Sequence, residues 1–426
     1  MDKHTPVNTS DFLEETIKIR PKNRKRIIRR MVEVAALAVI FGLVACVTMI
    51  IVSPVLEERL FPTPTNEVTF TEESAPYTPQ EVQPEDMLLM EKQETVIVTE
   101  EQSSEEQLLN MMLLLKESAQ ACERWLVQVT GVSSETSWLE STSIKADVAS
   151  GAIIADNGTE LLILVEQREL TSADKIVVTF VDDSSAEAFL KGQDMNSGLM
   201  IVAVPKDDVA ETTLQEISVA ELSSSNNKAL VGSVILAIGS PNGIAGSVNY
   251  GYVTTTGVEV SSWDSNYRLL MTDIYGCNNP NGFLVNMDGQ ILGVLRNSYN
   301  PEDTRNLISA VGISELKKII EFMSNQEAIP YLGVKGTDVT EEARLQHGIP
   351  YGAYVTGVKL NSPAMEAGIQ AGDIIVNISE KDISSMYAFT YNLYQMNVGD
   401  AVPIVIMRQS QGEYKEITLN IILKNQ

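Results

Sequence analysis

Hydrophobic and polar positions divide the 426-residue chain into stretches of different period. Residues 34–52 are apolar apart from Thr48, and a run of this length can cross about 30 Å of hydrocarbon as a helix, which predicts a transmembrane segment over 31–53. Over residues 54–103 the apolar period disappears. Glu, Thr, Pro, Ser and Gln dominate, with prolines at 62, 64, 76, 79 and 84, so the stretch cannot bury enough surface to fold and reads as an acidic, extended linker. Ser104-Glu105-Glu106 then opens a segment with Leu108, Met111, Met112, Leu115, Ala119 and Cys122 at helical spacing, predicting one amphipathic helix packed by that stripe on the β-rich region C-terminal to it. From residue 125 to about 258 short β-rich runs alternate with turns, at 126–129, 152–154, 161–165, 176–180, 199–204 and 233–238. Many short strands at this spacing imply an antiparallel sandwich or barrel. A further β-rich part runs to about 311, residues 314–324 read as helix, and Pro330 marks a boundary. The remainder, 331–426, mixes strands with one helix at about 386–396.

Charge orients this layout. Eight Lys or Arg between Lys18 and Arg30 flank the apolar run, and a positive flank stays in the cytoplasm. The expectation is a basic cytoplasmic tail over 1–30, a single pass through the cell membrane, and everything beyond it extracytoplasmic. No small-residue cleavage site comes after the run, which argues against a removed signal peptide. Leu43-Val44-Ala45-Cys46 reads like a lipoprotein processing box, but the run stays apolar through Val52, so a cysteine packed inside a membrane helix is the favoured reading of Cys46. The net charge of −26 excludes nucleic acid as a partner class. Three scattered cysteines, Cys46, Cys122 and Cys277, suit neither a disulfide framework nor a zinc site and are read as free thiols. Phosphate-binding loops, paired carboxylates and metal-ligand spacings are lacking, so no cofactor and no metal are expected.

Three segments carry a resemblance. They are Ser150-Gly151-Ala152-Ile153-Ile154, the run from Val231 through Gly239-Ser240-Pro241, and Asn281-Gly282-Phe283-Leu284-Val285-Asn286 continuing to Val294. In order and spacing the chain resembles the trypsin-like domain of bacterial HtrA/DegP-type proteases. Towards the C-terminus, Ser362-Pro363-Ala364 with Ala367-Gly368-Ile369-Gln370-Ala371-Gly372-Asp373-Ile374-Ile375 resembles the turn, short helix and strand of a PDZ domain. The resemblance implies a mainly β protein: a two-lobed trypsin-like β-barrel domain over 104–325 and an α+β PDZ domain over 330–426. It also implies a peptide-binding loop at Tyr331, Leu332, Gly333 and Val334, whose backbone N–H groups would meet a terminal carboxylate while the peptide adds a strand.

Acyl-transfer hydrolysis of this type needs a nucleophile, a histidine base, a carboxylate that orients it, and oxyanion donors. Alignment on Leu284-Val285-Asn286 puts Pro280 at the nucleophile, a residue with neither hydroxyl nor N–H. Alignment on residues 161–164 puts Arg168, within about one residue, at the histidine, and alignment on residues 199–202 puts Gly198 at the aspartate, with Asp194 four residues too early. The only histidines are His4 and His347, so none lies in the barrel domain. Cys277 has no histidine to activate it, and the nucleophile loop has no serine for a serine-lysine dyad with Lys145, Lys175 or Lys191.

These readings predict no catalytic residues and a degenerate triad at Arg168, Gly198 and Pro280. The expected function is that of a membrane-anchored pseudoprotease in envelope quality control or scaffolding, binding peptides, unfolded proteins or protein C-termini through the PDZ domain. Two competitors stand beside it. One is an active serine endopeptidase using non-standard residues; the other is a structural subunit of a homo- or hetero-trimer with related proteases, an assembly the resemblance alone suggests.

Overall fold

The computed structural model describes residues 66–71, 104–134, 144–167, 170 and 173–426. The basic tail, the apolar run over 31–53, Cys46, Arg168 and most of the linker lie outside the described residues. Among the described residues no helix is long and apolar enough to cross a membrane.

Helix α1 (Ser104–Glu123) forms where the helical spacing placed it, but its packing differs from expectation. Leu108, Met111 and Met112 stay about half exposed, as do Leu109, Leu113 and Leu114, while only Ala119 and Cys122 are buried. The stripe is therefore unpartnered over its first turns, because the barrel surface meets the helix only at its C-terminal end. There the Cys122 thiol donates to the Ser118 carbonyl at 3.2 Å.

Six strands come next: β1 (Leu126–Ser134), β2 (Ile144–Asp156), β3 (Glu160–Glu166), β4 (Lys175–Thr179), β5 (Ser185–Asp194) and β6 (Leu199–Pro205). They close into a barrel in the order β1-β2-β3-β6-β5-β4. Side-chain alternation explains why β3 and β6 read as continuous apolar runs. Leu161, Ile163 and Val165 fill the barrel with Met200, Val202 and Val204. Leu162, Leu164, Ile201 and Ala203 face a second core shared with the next barrel. Strand β5 is absent from the sequence expectation. Its inward residues are the small Ala186 and Ala188, so its alternation is faint.

The second barrel contains β7 (Val234–Ser240), β8 (Ser247–Ser261), β9 (Asn266–Tyr275), β10 (Asn281–Val285), β11 (Ile291–Leu295) and β12 (Leu307–Gly312), closed in the order β10-β11-β12-β9-β8-β7. Trp125 and Phe283 meet edge to face between the barrels, centroids 6.0 Å apart, a geometry worth about 0.5–1.5 kcal/mol beyond area burial. A short helix, α2 (Glu211–Glu216), links the barrels, and α3 (Lys317–Ser324) comes after the second and buries Ile319, Ile320, Phe322 and Met323.

From Pro330 the chain forms a five-stranded sheet, β14 (Val334–Asp338), β15 (Ala353–Val358), β16 (Ile374–Ile378), β18 (Ala401–Ser410) and β19 (Glu413–Ile422), in that order, with the short β17 (Lys381–Asp382) beside β16. A two-stranded pair joins β13 (Pro330–Tyr331) to β20 (Lys424–Asn425). Three helices occur here, α4 (Glu341–His347), α5 (Pro363–Ala367) and α6 (Met386–Leu393); α6 lies where the sequence predicts a helix, α5 is the short helix the PDZ resemblance implies, and α4 is unexpected. The first two are too short for a readable period, but their ends carry side-chain caps. Thr340 accepts from the Ala343 N–H and Ser362 from the Met365 N–H, and Gly348 and Gly368 close the helices in left-handed conformation. Strand β14 lies at the edge of its sheet, so its outer backbone groups need a partner.

Candidate functional sites: the interbarrel cleft and the carboxylate loop

The three segments that carried the resemblance converge where the barrels meet. Gly282 pairs with Gly239, and Ser150 lies against Gly239, close enough that a Cβ on residue 239 would stand 2.8 Å from the Ser150 Cβ. Gly282 has φ +125°, and a Cβ there would overlap the Ile238 carbonyl oxygen. Only glycine permits this approach.

Polar side chains fill the cleft so formed. Asn281 accepts the Ser150 N–H at 2.5 Å and donates to Glu166 at 3.3 Å. The other Glu166 oxygen pairs with the Arg296 guanidinium at 3.1 Å, and Arg296 also donates to the Ser197 carbonyl. Both side chains are nearly closed to water, at 8% exposure for Glu166 and 11% for Arg296. Desolvation of two charges costs several kcal/mol, which the mutual pairing and the added bonds from Asn281 to Glu166 and from Arg296 to the Ser197 carbonyl offset.

Two of the predicted triad positions, Pro280 and Gly198, adjoin this network. Pro280 is buried immediately before β10. Gly198 has φ +66°, and a Cβ at residue 198 would stand 3.2 Å from Arg296 Nη2. Arg168 is outside the described residues, but the β3–β6 register continues past Glu166 and Leu199, and the Gln167 N–H donates to the Gly198 carbonyl at 2.9 Å. The residue facing Gly198 is thus Gln167. Asp194 does not enter the cleft. It accepts the Ser197 N–H at 2.8 Å and the Asn196 N–H at 3.2 Å, and the Gln426 amide also reaches it. Cys277 is half-buried. Its N–H donates to the Pro241 carbonyl at 3.0 Å, and its carbonyl takes the Asn297 amide at 3.2 Å. An open polar depression beside it is lined by Asn242, Tyr275, Gly276, Cys277, Asn278 and Asn306. Among the described residues no cluster of His, Cys, Asp or Glu could hold a metal ion.

The second site is the predicted peptide loop. Tyr331, Leu332, Gly333 and Val334 bridge β13 and β14, and Gly333 has φ +88° with a Cβ position that would overlap Ser362. The N–H groups of Leu332, Gly333 and Val334 converge on one point, as a carboxylate site requires. That point holds Asp264, from the turn between β8 and β9. Its oxygens accept from Leu332 at 2.8 Å, from Gly333 at 2.8 and 2.9 Å, and from Val334 at 2.8 Å. The Asp264 N–H donates to the Val334 carbonyl at 2.7 Å, and its carbonyl accepts from Thr390 of α6 at 2.7 Å. Burial pushes the Asp264 carboxyl up to about 6, against the opposing pull of the three N–H donors and of Lys359.

Sequence reasoning located the loop and missed its occupant, as it missed Glu166, Arg296 and Asn281. Asp264 lies in Trp263-Asp264-Ser265, a tight turn at φ +59° whose only local signal is a residue type that tolerates left-handed backbone.

Two linked β-barrels followed by a peptide-loop domain define the class: a trypsin-like domain joined to a PDZ domain. The PDZ domain family matches residues 330–423. The chain is 26% identical over 299 residues to "Serine protease Do-like HtrA" of Bacillus subtilis, covering 66% of this chain and 65% of that protein. It is 26% identical to "Periplasmic serine endoprotease DegP" of Salmonella typhimurium (65% and 57%) and 24% identical to "Serine endoprotease DegS" of Escherichia coli (65% and 76%). The chain thus spans slightly less than two thirds of the length of the Bacillus protein. In fold it is similar to a solved structure, "HtrA-type protease AlgW with decapeptide", at TM-score 0.53 and 19% identity, covering 73% of this chain and 98% of that one. The chain is thus similar in sequence to HtrA/DegP-type serine proteases, shares their fold, and carries a PDZ domain.

Proposed function

We propose that the protein is a membrane-anchored, extracytoplasmic HtrA-like pseudoprotease that binds peptides or protein C-termini through its PDZ domain without cutting them, in envelope quality control or scaffolding. The observation that carries the reading is the occupancy of the interbarrel cleft. Where hydrolysis needs a nucleophile, base and oxyanion donors, Glu166, Arg296, Asn281 and Ser150 bond to one another. Alignment puts Pro280, Gly198 and, within about one residue, Arg168 at the triad positions, and neither histidine of the chain, His4 or His347, lies in the barrels. Arginine cannot serve as a general base near neutral pH, and proline removes hydroxyl and N–H together.

Anchoring rests on the apolar run at 31–53 with its basic flank. An extracytoplasmic location accords with relatives named periplasmic, and a homo- or hetero-trimer with related proteases rests on family likeness alone.

The relatives are named as proteases, so active hydrolysis by non-standard residues is the reading to test against. The full chain incubated with casein and a fluorophosphonate probe is expected to show neither cleavage nor labelling. Labelling that a single Ser→Ala change abolishes would overturn the pseudoprotease reading.

A further inference from the structure

The predicted peptide groove is engaged by another part of the same chain. Peptides bind such a groove by placing a terminal carboxylate on the loop N–H groups and running as an added strand along the free edge of the sheet, against the facing helix. Each of these three contacts is taken by the tip of the β8–β9 hairpin. The Asp264 carboxylate accepts all three loop N–H groups. Along the open edge of β14, the Val334 carbonyl takes the Asp264 N–H and the Gly336 carbonyl takes the Ser261 hydroxyl at 2.9 Å. On the helix side, Thr390 of α6 donates to the Asp264 carbonyl. Trp263 is held at the rim by two cations, Lys335 at 4.7 Å and Lys359 at 5.8 Å from its ring centroid.

The chemistry of the occupant matches the site. A carboxylate 2% exposed on three converging N–H donors is the arrangement a free C-terminus would adopt. Asp264 supplies it from a side chain, at a left-handed turn that a β-branched or bulky residue would strain.

We propose that the Ser261–Asn266 turn is an internal ligand of the PDZ groove, with Asp264 standing in for a peptide's terminal carboxylate, so that external peptides with a free C-terminal carboxylate bind only by displacing it. This rests on the peptide-binding reading of the groove and adds its control: the effective affinity for a partner is the groove's own affinity reduced by the fraction of molecules in which the hairpin is docked. Since the hairpin joins two strands of the second barrel, displacement also frees a barrel loop, and a bound peptide and the barrel conformation become linked.

The test uses the full chain in detergent, as wild type, Asp264→Gly and Asp264→Asn. Glycine suits the left-handed backbone and removes the carboxylate, whereas asparagine keeps the backbone preference and one acceptor oxygen. Hydrogen exchange at the Leu332, Gly333 and Val334 amides is expected to be slow in wild type and at least tenfold faster in Asp264→Gly, with Asp264→Asn between. Fluorescein-labelled peptides with three apolar C-terminal residues and a free carboxylate are expected to bind Asp264→Gly at least tenfold more tightly than wild type, and the same peptides as C-terminal amides to gain nothing. Equal exchange and equal affinity in wild type and Asp264→Gly, with Asp264→Asn matching the wild-type melting curve, would overturn the proposal. Faster exchange without peptide binding to any variant would leave the internal ligand standing and sink the peptide-binding reading instead.

Discussion

The interbarrel cleft and the PDZ loop are both filled by this chain's own side chains, yet they differ in what has been kept. On the pseudoprotease reading the cleft lacks its machinery at the level of residue type: Pro280, which alignment puts at the nucleophile, has no hydroxyl and no amide hydrogen. In the loop every donor is intact. The N–H groups of Leu332, Gly333 and Val334 point at one centre and are merely engaged by Asp264. On the proposed readings, the first region has lost its chemistry and occupancy of the second is an equilibrium. A buried carboxylate on an arginine closes one, and a buried carboxylate on backbone donors closes the other.

The largest expected effect breaks the first region. Arg296→Met removes the cation from Glu166 while keeping much of the volume, and leaves an uncompensated buried carboxylate. Urea denaturation is expected to register a loss of about 3–5 kcal/mol, the range for breaking a buried pair by removing one partner. A loss under about 1 kcal/mol, the scale of an exposed pair, would mean that water reaches Glu166 and the cleft is open.

A smaller effect compares the second region with itself at two pH values. The native Asp264 carboxyl, at about 6, lies above the ordinary unfolded value of about 3.9, so the native state holds the proton more tightly. Stability from this group is therefore fully present below about pH 4 and is lost as pH rises through about 6. Relative to Asp264→Asn, the wild type is expected to lose about 2 kcal/mol of unfolding free energy between pH 4 and pH 7. Lys359, Tyr331 and Tyr394, which interact with Asp264, are present in both proteins, so the difference isolates the Asp264 carboxylate. A difference of opposite sign would show that the three N–H donors outweigh burial.

The smallest expected effect is none. Arg168→His with Pro280→Ser restores two triad residue types, but the Arg296 guanidinium stands 3.2 Å from where a side chain at residue 198 would begin, and the Glu166 pair remains. Fluorophosphonate labelling of this double variant should stay at background, and so should that of Arg168→His alone. Labelling would place the cleft's loss in two side chains only.

Much of the architecture was legible in the sequence. Strands β3, β6 and β7 read directly as apolar runs because each is buried on both faces, and the glycines at 239 and 282 sit where only a missing Cβ lets the strands meet. The absence of a histidine from the barrels and the presence of Pro280 are facts of the sequence, and hydrolytic chemistry depends on residue type before geometry. Strand β5 escaped notice because Ala186 and Ala188 give a faint alternation, and α4 because seven residues cannot display a helical period.

What fills the two sites was decided only in three dimensions. Glu166 and Arg296 are 130 residues apart, and Asp264 lies 68 residues from Leu332; no periodicity relates them, and as isolated charges each reads as an ordinary solvated surface group. Barrel closure turns β3 towards the segment after β11, and the packing of the β8–β9 turn against α6 and β14 removes water from Asp264. Local sequence sets which groups can bond. Only the tertiary fold sets which are desolvated together, and in a low-dielectric interior that determines which partners they must take.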